Sequence, residues 1–168
     1  MLEVLDKFLP SLRALRCVER IGLTGSLTTP KREPKDIDVV VCTITGSSLS
    51  ELATIYRKMS GGLQSIGRGV DVFIFENGYY VGRLCRYRDC APGIRASCAA
   101  DHCGLRPYLC DDLSVVELYS TTLTRLPVQL HPDGWYLDDV PQDVKDFVKR
   151  HTEIVQHPTD CPSGNKIR

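Results

Sequence analysis

Three aspartates carry the strongest chemical signal in this chain. Asp36 and Asp38 flank Ile37 at the head of a valine-rich run, and Asp71 lies between Val70 and Val72 in a second apolar run. Strand side chains alternate faces, so Asp36 and Asp38 point one way while Ile37 points into the core. Two carboxylates at that range repel each other unless a positive group lies between them. A divalent cation is the usual solution, and Mg²⁺ takes oxygen ligands while keeping sites for water and phosphates. If the run holding Asp71 forms a strand beside the first, three carboxylates could hold two ions. Two ions about 3.5–4 Å apart clamp the attacking and leaving oxygens of an in-line phosphoryl or nucleotidyl displacement.

Upstream, Gly25-Ser26 fits the same chemistry. Glycine lets a phosphate approach the backbone, and serine adds a hydroxyl and can cap a short turn whose amides face an anion. Each feature has an ordinary structural reading as well. Asp-x-Asp can cap a turn or guard a strand edge, Gly-Ser is a common turn, and Asp71 could pair with Arg68 or another basic side chain. Lys31, Arg32 and Lys35 are either phosphate ligands or solvated loop charges.

A second constellation is the run of Cys85, Cys90, Cys98, His102, Cys103 and Cys110. Cys85/Cys90 and Cys98/Cys103 are similarly spaced pairs, as a tetrahedral zinc site built from two short loops requires. His102, four residues after Cys98, could substitute for Cys85 or Cys103. Unligated buried thiols are the plainer alternative, and an iron–sulfur cluster or a redox pair is a further one. The zinc would be structural. Arg83, Arg86, Arg88, Arg95 and Arg106 interleave with Tyr79, Tyr80, Tyr87 and Tyr108. That mixture suits phosphates and stacked bases, or simply solvates a small annex.

The elements that must position these residues follow from periodicity. Leu5, Phe8, Leu9, Leu12 and Leu15 recur at helical spacing. A short strand over 17–25 ends at Gly25, a loop covers 24–35, and a strand covered on both faces follows from Ile37. Ser48 and Glu51 have capping-box spacing and open a second helix, with Leu49, Leu52, Ile55, Tyr56 and Met59 inward and Gly61-Gly62 as its stop. A strand over 69–75 then meets Asn77-Gly78, a hairpin signal, and returns over 79–84. Beyond the cysteine segment, residues 113–130 read as strand and then irregular chain. A turn is expected at Pro132-Asp133-Gly134. Pro141 opens a last helix with Val144, Phe147, Val148 and His151 inward.

The fold class expected is α/β, an α+β arrangement with helices on a mixed sheet and a small metal-stapled annex. Its parts are a core over 1–84, a Cys/His-rich module over 85–112, and strands and a helix over 113–168 that complete the single domain. The 168 residues are 42% hydrophobic and 25% charged, enough for one such domain. Zero formal net charge argues against broad nonspecific attraction to nucleic acid or anionic lipid. No run reaches the ~20 apolar residues of a membrane span. The opening does not read as a secretory signal, so a cytoplasmic, reducing setting is expected, where clustered cysteines favour metal over disulfides.

Gly25-Ser26, nine intervening residues, Asp36-Ile37-Asp38, a helix and then a strand with Asp71 together resemble the DNA polymerase beta-like nucleotidyltransferase superfamily. The resemblance covers about residues 1–85. It implies transfer of a nucleoside monophosphate from a nucleoside triphosphate to a hydroxyl of RNA, protein or a small molecule. By that resemblance, Asp36 and Asp38 would bind both Mg²⁺ ions. Asp71 would bind the one that activates the acceptor, and Ser26 would hold the β,γ-phosphates. Many members carry Arg one turn after Gly-Ser, where this chain has Thr28-Thr29-Pro30. The competing function is an inactive binding module of the same fold that recognises RNA or a protein through the basic cysteine segment. A third is an interaction protein that works only inside a larger complex.

Overall fold

A computed structural model describes residues 1–30, 33–87, 106–110, 127–132 and 139–151. The leucine spacing of the first segment is realised as helix α1 (Leu2–Arg13), with Leu5, Leu9 and Leu12 buried. Strand β1 (Val18–Thr24) leads into a 3₁₀ turn at Gly25–Thr28 and then into β2 (Asp36–Thr43). Helix α2 (Ser50–Gln64) crosses to β3 (Gly69–Glu76), and a hairpin joins β3 to β4 (Tyr79–Leu84). Two short strands, β5 (Leu109–Cys110) and β6 (Val128–His131), and helix α3 (Gln142–His151) complete the described elements.

The strands form one sheet in the order β5-β4-β3-β2-β1-β6. Only β2 and β3 run parallel; the other pairs are antiparallel. This is a mixed sheet with helices, the expected fold class. Parallel pairing needs a long crossover, and the segment holding α2 supplies it. One apolar cluster contains Ile21, Leu23, Ile37, Val39, Val41, Val70, Val72 and Ile74 from the sheet, with side chains of all three helices. Alternation then fixes the opposite face, where Asp36, Asp38, Val40 and Cys42 project from β2. The expectation of cover on both sides holds for the middle of β2, since Val40 is buried on that opposite face too.

Turn chemistry set the hairpin as expected: Asn77 and Gly78 both have positive φ, 50° and 83°, as a type I′ turn requires. Two local expectations are corrected. Ser48 is not the helix cap; α2 begins at Ser50 behind Leu49, and the Ser48 hydroxyl accepts the Ser50 N–H at 3.4 Å. Burial of Leu49 outweighs the capping-box signal. Gly61-Gly62 do not stop α2, which continues to bury Leu63 and ends where Gly67 takes φ +68° and Arg68 N–H reaches the Leu63 carbonyl. Helix α3 follows Pro141 with Val144, Phe147 and Val148 buried. His151 is half-buried against the Phe147 ring and contacts the Asp6 carboxylate. The Arg13 guanidinium ties these parts together, donating to the carbonyls of His151 and Leu130.

No described helix is long and apolar enough to cross a membrane. The expectations for residues 111–126, for the Pro132-Asp133-Gly134 turn beyond Pro132, and for the chain after His151 lie outside the described residues, as does most of the cysteine segment.

Candidate carboxylate site

The pairing of β2 with β3 places the acidic residues. Asp38 is opposite Asp71 and Asp36 is opposite Gly69. Residues opposite each other in a ladder share a face, so all three carboxylates project from the side away from the apolar cluster. On the other flank of β2, Thr24 of β1 is opposite Asp38. The chain then turns at Gly25, which has φ +70°. A Cβ at Gly25 would overlap the Asp38 carboxylate, and one at Gly69 would overlap that of Asp36. Each of these two carboxylates therefore rests on a bare glycine backbone. Thr28 and Thr29 hydroxyls donate to the carbonyls of Gly25 and Ser26, both at 2.9 Å, and hold the turn closed.

The electrostatics are uneven across the three acids. Burial first, and then the charges of Asp71 and Asp36, push the Asp38 carboxyl above its usual range. Asp71 has a counter-ion: Arg83 of β4 donates to it at 2.9 Å, with the two side chains 28% and 34% exposed. A pair this open to water contributes on the order of 0.2–1 kcal/mol. Among the described residues, neither Asp36 nor Asp38 has a hydrogen-bond or ion-pair partner. Three negative charges on one face thus meet one neighbouring guanidinium.

Hard oxygen donors resting on two glycines suit a divalent cation in chemistry and access. As they stand, no three His, Cys, Asp or Glu side chains among the described residues form a cluster able to hold an ion. Ligation by all three aspartates would require Asp71 to exchange Arg83 for the cation.

Of the remaining sequence candidates, Ser26 is half-buried in the 3₁₀ turn and Lys35 is exposed just ahead of Asp36. Lys31 and Arg32 lie outside the described residues, as do Cys90, Cys98, His102 and Cys103. Cys85 and Cys110 are described, and both are buried free thiols. Cys110 is opposite Arg83 in the β4–β5 ladder. The Tyr87 N–H donates to Cys85 Sγ at 3.4 Å, the kind of contact a thiolate accepts.

Two features escaped sequence reasoning. Arg83 was read as part of a basic surface, whereas it is the partner of Asp71. A cleft of about 310 Å³ beside the acids is lined in part by Tyr56 and Ser60 of α2. Burial, reinforced by the charge of Asp71, pushes the Tyr56 hydroxyl up to about 12, so it stays a donor, aimed at the Val70 carbonyl at 3.4 Å. A lone tyrosine within an aliphatic helix stripe was the available signal. No family model, curated protein or solved structure matches this chain.

Proposed function

We propose that the chain is a divalent-cation-dependent nucleotidyltransferase of the DNA polymerase beta-like type, moving a nucleoside monophosphate from a nucleoside triphosphate to a hydroxyl acceptor. One observation carries the reading: Asp38 is opposite Asp71 on one side and overlies the positive-φ Gly25 on the other. A purely structural Asp-x-Asp would need neither the glycine beneath it nor a third carboxylate beside it.

Asp36, Asp38 and Asp71 would hold magnesium, which when bound supplies positive charge for the triphosphate and lowers the acidity barrier of the acceptor hydroxyl. The chain's own groups do the rest. Gly25 allows the triphosphate to approach the backbone, and Ser26 offers its hydroxyl to the β,γ-phosphates. In the reaction, the acceptor oxygen bonds to the α-phosphorus and the bond from that phosphorus to the bridging oxygen breaks. Pyrophosphate leaves, and the acceptor proton passes to solvent. Zinc would be held by Cys85 with Cys90, Cys98 and Cys103, with His102 or Cys110 as substitutes. The N–H···S contact at Cys85 supports a thiolate there.

The Arg83–Asp71 pair favours a second reading, an inactive binding module for RNA or a protein. One experiment separates the two. The protein is incubated with each labelled nucleoside triphosphate, Mg²⁺ or Mn²⁺, and RNA or cell extract. Label transfer with pyrophosphate release, lost in Asp36→Ala and Asp38→Ala variants that remain folded, is expected. Tight RNA binding with no transfer from any triphosphate would replace the enzyme with the binding module.

A further inference from the structure

The sheet forks between β3 and β4. Their ladder ends where Phe73 pairs with Arg83, and β4 continues by pairing Leu84 with Leu109 of β5. No β4 residue pairs with the first residues of β3, and the cleft opens in that gap. Val70 and Asp71 line it from β3, Tyr56 and Ser60 from α2, and Arg83 and Arg86 from β4 and the chain just after it. It shares Asp36 and Asp71 with the carboxylate site.

We propose that this cleft is a subsite for a phosphate group of the acceptor, closed by the Arg83–Asp71 pair until a divalent cation takes over Asp71. This rests on the nucleotidyltransferase reading. The charge balance supports it. Asp36 and Asp71 cancel Arg83 and Arg86 along the lining, so the cation-free cleft has no net attraction for an anion. A cation on the aspartates leaves both guanidinium groups uncompensated there, and their planar forks match phosphate oxygens. The exchange is easy, because Arg83 and Asp71 are each about one-third exposed and water already competes for them.

Size and position narrow the ligand. About 310 Å³ is at the small end of ligand pockets, room for one sugar-phosphate or nucleotide unit. The cleft lies on the β3–β4 flank of the acids, whereas Gly25-Ser26 lies on the β1 flank. Two anionic groups would thus reach the carboxylates from opposite sides. The Tyr56 hydroxyl and the Ser60 side chain, both of buried residues, supply neutral polar groups for a sugar or base.

Mn²⁺ binding to the full chain, followed by electron paramagnetic resonance, and AMP binding, followed by calorimetry, test the proposal. Arg83→Gln should bind Mn²⁺ about two- to five-fold more tightly than wild type, the size of a partly exposed ion pair. Wild type should bind AMP only with Mn²⁺ present, and Arg83→Gln should weaken that binding roughly ten-fold or more. Arg83→Lys keeps the charge without the fork, so Mn²⁺ affinity near wild type with weaker AMP binding is expected, and it serves if the glutamine variant does not fold. Unchanged or weaker Mn²⁺ binding in Arg83→Gln, or AMP binding indifferent to Mn²⁺ or to either Arg83 variant, overturns the proposal. If Mn²⁺ binding is lost in Asp38→Asn yet indifferent to Arg83, the subsite falls and the nucleotidyltransferase reading stands. A wild-type chain that binds no Mn²⁺ overturns both.

Discussion

Gly25 shows how tightly backbone and carboxylate are matched at this site. Its φ of +70° is one that side chains resist, and its missing Cβ is where the Asp38 carboxylate rests. Gly25→Ala should therefore strain the turn and push Asp38 aside. The expected result is a loss of about 1–3 kcal/mol in denaturant unfolding together with loss of Mn²⁺ binding; a variant with wild-type stability and binding would show that the fit is incidental. Asp38 behaves in the opposite sense. Its folded carboxyl holds a proton more tightly than the unfolded chain does, because of burial and the charges of Asp71 and Asp36, with Arg83 the one neighbouring cation. Its stabilising share is thus full below the unfolded value of about 3.9 and is lost as pH rises through the raised folded value. In chelator, Asp38→Asn should raise the melting temperature at neutral pH and flatten the decline across that acidic window. A large loss of stability would make Asp38 a structural cap. At this scale the acids were legible because a carboxylate in a valine run has few reasons to be there. Arg83 was not, because its partner is set by a ladder that residue types alone do not register.

Among the elements, the parts governed by local chemistry were legible. The leucine spacing of α1, the Asn77-Gly78 turn and the alternation around Asp71 each follow from a few adjacent residues. The failures share a cause. Ser48 and Gly61-Gly62 send local signals that tertiary burial overrides, through Leu49 at one end of α2 and Leu63 at the other. Gly61 is exposed, and nothing lies within 4 Å of where its Cβ would be. Its cost is therefore purely conformational, and Gly61→Ala should stabilise the protein by about 0.5–1 kcal/mol in denaturant unfolding. No gain, or a loss, would mean that the end of α2 must remain soft. Gly62 offers a less clean test, because its Cβ would approach Val4 of α1 at 3.4 Å.

At the scale of the molecule, the sheet divides labour between its faces. Three helices bury one face, and the acids occupy the other near the sheet's Gly25 and Gly69 turns. That division was readable, since apolar periodicity and misplaced carboxylates mark the two faces separately. The fork at β3 and β4 was not, because β4 is drawn away by β5, which returns only after the cysteine segment. The return is anchored at Arg106, which meets the buried Glu76 carboxylate at 3.0 Å, while Glu76 also accepts the Gly46 N–H at 3.3 Å. Cys85 and Cys110 bound this excursion, both buried and both lining the cleft. A zinc closing the excursion would therefore set the shape of the cleft as well as the stability of the segment. Purified protein should contain about one zinc per chain, as a four-ligand site requires. A strong chelator should lower the melting temperature and weaken AMP binding together, and Cys85→Ser should do the same while Cys17→Ser, a thiol on the far side of the sheet order, should do neither. Zinc far below one per chain would leave the two buried thiols as packing groups, and the cleft would then owe its form to the Glu76–Arg106 anchor alone.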